Sequence, residues 1–177
     1  MKSLRLLPVF LGLAAGCALP ADTASKAAPR TTVIFDHPEN FTDIKDGYVP
    51  SDKGRDAILS RIREFLVSRA DLLLPEGYRM TVTFSDIDLA GDYEPWHGAR
   101  WEDVRIIKSV YPPALRFTYS VADPSGKVVK EGSEDLRDLA FQMRLLSPYD
   151  SSIDNLAYEK DILNDWARST LRGLKKA

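Results

Sequence analysis

The segment Leu115 to Val121 constrains this chain most. Leu115, Phe117, Tyr119 and Val121 alternate with Arg116, Thr118 and Ser120, the period-two pattern of a strand with one buried face. Asp123-Pro124-Ser125-Gly126 follows as a turn, and Val128 to Leu136 pairs back to complete a hairpin. A hairpin with one apolar face needs a cover. Two helical patterns supply it. From Asp52, read as the cap, to about Leu73, the residues Ile58, Ile62, Phe65, Leu66, Leu72 and Leu73 recur at three- and four-residue spacing. Burying those side chains is worth roughly 9–18 kcal/mol gross. Arg55, Arg61, Arg63 and Glu64 stay off the stripe, and Pro75-Glu76-Gly77 turns the chain. The second helix runs from about Asn155 to Leu174. Its buried face is Ile162, Leu163, Trp166, Ala167, Leu171 and Leu174, with Arg168, Arg172, Lys175 and Lys176 at the end where the helix dipole favours cations.

Two further strands complete the sheet. Val33 and Phe35 alternate with Thr32 and Ile34, and Pro38 stops that strand. Pro38 to Ser51 reads as loop. Arg79 to Leu89 is a longer strand in which Met80, Val82 and Phe84 share a face, while Ile87 and Leu89 have the other parity. The phase change at Ser85-Asp86 predicts a β-bulge. Without it, Asp86 and Asp88 would point into the core beside Val82 and Phe84, where an unpaired charge is costly. The bulge turns them outward or toward backbone donors. Gly91 to Asp103 is a loop rich in aromatics, and Val104 to Val110 is a strand candidate ended by Pro112-Pro113. Leu136 to Asp154 has room for a short helix around Leu139 to Leu145. No internal repeat is present. The order of elements predicts a single α+β domain: a mostly antiparallel sheet of about four strands with two main helices packed on one face.

The chain has 177 residues, 44% hydrophobic and 28% charged, which suits one globular domain. A net charge of -2 argues against a nucleic-acid binder held by phosphate contacts. A single cysteine excludes an intramolecular disulfide. Lys2 and Arg5 precede an apolar run from Leu6 to Ala15 broken by Pro8 and Gly12, about half the ~20 residues of a membrane span. Ala14, Ala15 and Gly16 then lead to Cys17. This is the layout of a bacterial signal peptide over residues 1–16. Leu13 to Cys17 resembles a lipobox, with Ala14 where leucine is commonest, and it marks Cys17 for lipidation. Triple acylation would hold the protein firmly on a membrane, and Ala18, not being aspartate, directs it by resemblance to enteric sorting rules to the periplasmic side of the outer membrane. The alternative is simple cleavage after Ala18 or Ala21, leaving a soluble periplasmic protein. Residues 17–31, rich in Ala, Pro, Thr and Lys, form a flexible tether, and 32–177 the domain.

Four phrases occur together: Pro38-Glu39-Asn40-Phe41-Thr42-Asp43, Asp86-Ile87-Asp88-Leu89-Ala90-Gly91, Arg105-Ile106-Ile107-Lys108 before Tyr111-Pro112-Pro113, and Gly132-Ser133-Glu134-Asp135-Leu136-Arg137-Asp138. As a set they resemble a bacterial exported family of uncharacterised proteins, domain of unknown function 3016, over nearly all of Thr32 to Lys176. The resemblance implies export and one domain. It implies no activity.

The chemistry-bearing residues crowd around the bulge and the aromatic loop. Counted from Asp86 as an EF-hand loop, Asp88 and Gly91 fit, but Ala90 and His97 fall where acids are needed. A looser divalent-metal site would draw on Asp86, Asp88, Asp92 and His97. The plainer reading gives these acids to backbone N–H groups in the turn. Asp92 and Glu94 beside Trp96 and Trp101 suit a sugar, since indoles stack on pyranose rings and paired carboxylates serve as acid and base. His37, between Asp36 and Pro38, reads as solvated. Asn40-Phe41-Thr42 matches a glycosylation acceptor by chance. No G-x-S-x-G, H-E-x-x-H, G-x-G-x-x-G or Walker A pattern occurs. No catalytic residue and no cofactor is assigned. These readings favour a non-catalytic cell-envelope protein, lipid-anchored through Cys17, that binds an envelope protein or glycan through Asp86, Asp88, Asp92, Glu94, Trp96 and Trp101. The alternative is a divalent-metal-dependent or glycan-active envelope enzyme using the same acids.

Overall fold

The computed structural model describes residues 28–98, 100–144 and 154–174. The expected signal segment 1–16, Cys17 and the expected tether up to residue 27 lie outside the described residues. So does 145–153, which takes the end of the Leu139 to Leu145 segment. The chain forms an α+β domain with a four-stranded mixed sheet. Strand β1 is Thr31–Phe35, β2 is Arg79–Asp88, β5 is Ala114–Ala122 and β6 is Val128–Arg137. Their order across the sheet is β1-β2-β5-β6, with β1 parallel to β2 and the other neighbours antiparallel. A separate two-stranded ladder joins β3, Asp92–Tyr93, to β4, Arg105–Ile106. Helices α1, Asp52–Leu73, and α2, Ala157–Leu171, cover one face.

The alternation in β5 sorts its side chains as expected. Leu115, Phe117, Tyr119 and Val121 are buried, while Arg116 and Thr118 are exposed. The bulge also falls where the parity changes. Phe84 pairs with Phe117, then Asp86 pairs with Arg116, so Ser85 is the extra residue. That one residue returns Ile87 and Leu89 to the side of Met80, Val82 and Phe84, and all five are buried. Trp166 packs edge-on against Phe117 and Tyr119, with centroids 4.7 and 5.3 Å apart, and so seats α2 on the hairpin.

Several details differ from the sequence reading. The cap of α1 is Ser51, whose Oγ accepts from the Gly54 N–H at 3.0 Å while its backbone is extended; Asp52 is already helical and pairs with Arg55 at 2.9 Å. Leu72 is 76% exposed. Six residues beyond Leu66, it sits about 240° around the helix, whereas Leu59 and Ala70 fall on the stripe and are buried. Only Arg105–Ile106 of the Val104 to Val110 segment is strand. Val104, Ile107 and Val110 are all exposed, so no alternating face exists to bury. The first strand opens one residue before Thr32. Thr31 opens β1, its hydroxyl donates to Asp71 of α1 at 2.7 Å, and Arg30 donates its backbone N–H to the same carboxylate. A short 3-10 turn, Phe141–Met143, stands where a short helix was expected, with Phe141 buried edge-on against Tyr158 at 4.8 Å. Helix α2 ends at Leu171, with Leu174 still packed on the core. No described helix is long and apolar enough to cross a membrane.

Candidate functional site

The candidate residues gather where β2 leaves the sheet, and the bulge organises the first layer. Asp86 accepts from the Thr42 backbone N–H at 2.7 Å, from the Thr42 hydroxyl at 2.8 Å and from Arg116 at 3.1 Å. It therefore ties the segment after β1 to the sheet. Phe41 is buried in that segment. Asp43 lies alongside β2: its N–H donates to Ile87 O at 3.0 Å, and its carbonyl accepts from Leu89 N at 3.1 Å.

The Asp43 side chain meets Arg105 of β4. Two guanidinium nitrogens donate to the two carboxylate oxygens at 2.8 and 3.1 Å; Asp43 is buried and Arg105 largely withdrawn from solvent. Arg105 also donates to Gly91 O at 2.8 Å and Lys45 O at 3.1 Å, and stacks over Tyr93 at 4.8 Å. A planar fork satisfied on several sides suits burial better than an ammonium would. Burial opposes the charge on Arg105, but the bonds to Asp43 outweigh it and raise its pKa. Gly91 has φ +78°, and a Cβ there would meet Ile106 O at 2.6 Å, so the crossing of β2's end over β4 requires glycine.

Two more carboxyls complete this buried layer. Asp88 is half-buried; burial and the neighbouring Asp43 raise its pKa against the pull of Arg137. Glu159 of α2 is fully buried, and its Oε1 accepts from the Ala90 N–H at 2.7 Å. Among the described residues its Oε2 has no hydrogen-bond partner. Burial pushes the Glu159 carboxyl up to about 7.

The aromatic loop is built on Glu94. Its carboxylate accepts from Lys108 Nζ at 2.7 and 2.6 Å and from the Tyr111 hydroxyl at 3.0 Å, and it lies 2.7 Å from His97 Nε2. The Lys108 bonds hold Glu94 below the usual carboxylate range, and the same carboxylate raises the Tyr111 phenol. A 3-10 turn, Pro95–His97, then carries Trp96 to the surface, 69% exposed. Trp101 follows at 47% exposed, its N–H donating to Gly98 O at 2.8 Å. Asp92 accepts from the Tyr93 N–H at 2.8 Å.

Of the four residues named as metal ligands, three are engaged locally, and Asp88 sits half-buried near Asp43 and Arg137. Asp86 serves Thr42 and Arg116, Asp92 a backbone N–H, and His97 faces Glu94. Among the described residues no group of three or more His, Cys, Asp and Glu side chains is placed to hold a metal ion. His37 is exposed between Asp36 and Glu39, with a left-handed φ of 50°. Sequence reasoning gave no role to Arg105, Asp43, Lys108, Tyr111 or Glu159. Glu159 did leave a signal: it stands three, four and seven residues before Ile162, Leu163 and Trp166, on the apolar stripe of its helix.

Fold and site together define an α+β domain whose sheet end is tied by the Asp43–Arg105 ion pair and followed by a loop with two exposed tryptophans. The chain belongs to the family described as protein of unknown function DUF3016, whose model matches residues 29–169. No curated protein and no solved structure matches it.

Proposed function

We propose that this protein is a non-catalytic binding module of the bacterial cell envelope, lipid-anchored through Cys17 on the periplasmic side of the outer membrane, and that the loop from Trp96 to Trp101 engages an envelope protein or glycan. The observation that carries the reading is the contrast within this loop. Its tryptophans are left to solvent, 69% and 47% exposed, while the Glu94 carboxylate at its start is fully engaged. Exposed tryptophans on a braced loop offer contact area at low entropic cost, as anchors of interfaces do. The enzyme alternative has less support. A glycosidase acid needs a raised pKa and a free proton, whereas Lys108 keeps Glu94 ionised.

The test places a photo-crosslinking residue at position 100, exposed and between the two tryptophans in sequence, in cells that make the full chain. A discrete adduct with one envelope protein or with glycan supports the reading and identifies the partner class. Trp96→Ala with Trp101→Ala should abolish that association while the melting temperature stays within about 2 °C, as for substitutions at exposed positions. Association undiminished in the double variant rejects the loop as the binding surface.

A further inference from the structure

We propose that the contact between Glu159 of α2 and Ala90, just beyond β2, is a proton-gated latch: closed while Glu159 is protonated, it parts when the carboxyl ionises and so frees the base of the tryptophan loop as pH rises. Its effect on binding rests on the tryptophan loop being the binding surface; the opening itself does not. Glu159 is fully buried in the first turn of α2, as are Leu156 and Leu163 on the same face of that helix. Only its Oε1 is bonded, to the Ala90 N–H at 2.7 Å; among the described residues Oε2 has no partner. A neutral carboxylic acid tolerates such a site far better than a carboxylate does, and the carboxylate regains hydration only where the contact opens.

Burial is the largest influence on this carboxyl and favours its neutral form, as does Asp154, which precedes α2. The Ala90 and Glu159 N–H groups and Arg105 of β4 favour its charge. Both ionic neighbours have other partners: Asp154 holds Arg61 and Lys160, and Arg105 holds Asp43. The two sides of the contact are unequally fixed. Helix α2 is seated by Trp166 against Phe117 and Tyr119 and clasped to α1 through Asp154 and Arg61. Ala90 leads through Gly91 into the β3–β4 ladder, which consists of the pairs Asp92 with Ile106 and Tyr93 with Arg105. So short a ladder has little stability of its own. The strand side therefore moves, and it carries Glu94, the carboxylate on which the tryptophan loop is built.

The test follows amide exchange, corrected for the intrinsic rate, in the isotope-labelled full chain in detergent from pH 5 to pH 8, together with the carbon-13 shift of the Glu159 carboxyl. The expected result is that the Ala90 amide opens more readily than the amides of β5, an interior strand of the sheet. Its opening constant should grow by at least about tenfold as the carboxyl titrates. Glu159→Gln, which keeps an acceptor for the Ala90 N–H and cannot ionise, should hold that constant level across the range; Glu159→Leu should do the same and serves if the glutamine variant does not fold. A pH dependence that persists in the folded variant overturns the latch. Ala90 exchanging in step with β5 at every pH also overturns it, since the opening is then global. Ionisation of Glu159 without faster exchange at Ala90 overturns it too, and would mean that Arg105 turns to compensate the charge. None of these outcomes alters crosslinking from the loop, so the latch and the binding surface fail separately.

Discussion

Arg105 holds three parts of the chain at one point, the Asp43 carboxylate, the Lys45 carbonyl and the Gly91 carbonyl. Removing one partner of a buried pair leaves the other charge uncompensated. Arg105→Met should therefore lower stability by about 3–5 kcal/mol in urea denaturation; a loss below about 1 kcal/mol would mean that water reaches Asp43. Asp86 is a milder case. Asp86→Asn weakens the bonds to Thr42 and Arg116 and should cost about 1.5–3 kcal/mol, the range for hydrogen bonds to charged groups. Partner binding should survive in the folded variant; loss of binding with unchanged stability would return Asp86 to the recognition surface. Glu159 sets a pH dependence. Its folded pKa of about 7 lies above the ordinary 4.5, so the folded state holds the proton more tightly than the unfolded state. Its contribution is complete below about pH 4.5, falls as pH rises toward about 7 and is lost above it, a change of about 3 kcal/mol. Glu159→Gln should flatten that part of the stability profile and raise the melting temperature at pH 8 more than at pH 5. An unchanged profile would show that the carboxyl is ionised throughout.

Helix α2 behaves as an integral wall of the core. Trp166 meets Phe117 and Tyr119 edge-on and donates to Glu134, while Glu159 fastens the start of the helix to Ala90. Trp166→Ala should cost about 3–5 kcal/mol through loss of transfer energy and the cavity left behind. A chain ending at Asp154 should fail to fold, since Leu156, Leu163 and Ala167 leave the core with the helix. Cooperative melting of that truncation near the full-length temperature would make the helix an appendage. The start of α2 also clasps α1, because Asp154 takes Arg61 of α1 and Lys160 together.

At the scale of the whole molecule, the proposed anchor predicts location. Cys17→Ser should abolish palmitate labelling and release the protein from membranes on fractionation; wild-type protein found unlabelled in the soluble periplasm would reject lipidation. Much of the fold was legible beforehand because it is written in local periodicity. The alternation of Leu115 to Val121, the parity change at Ser85-Asp86 and the stripes of both helices follow from repeats of two and 3.6 residues, which burial of one face imposes on any chain. The same local logic failed at margins: Ser51 rather than Asp52 caps α1, and Leu72 lies off its stripe. The site was legible only in part. The sequence placed the acids and tryptophans in one region, and the bulge foretold that Asp86 would seek backbone donors. What those groups meet was decided by tertiary structure. Asp43 and Arg105 are 62 residues apart, and Ala90 and Glu159 are 69 apart. A pairing between distant single residues leaves no period in the chain. It exists because folding removes both groups from water, after which each charge or carboxyl must find its partner within the protein or shift its protonation.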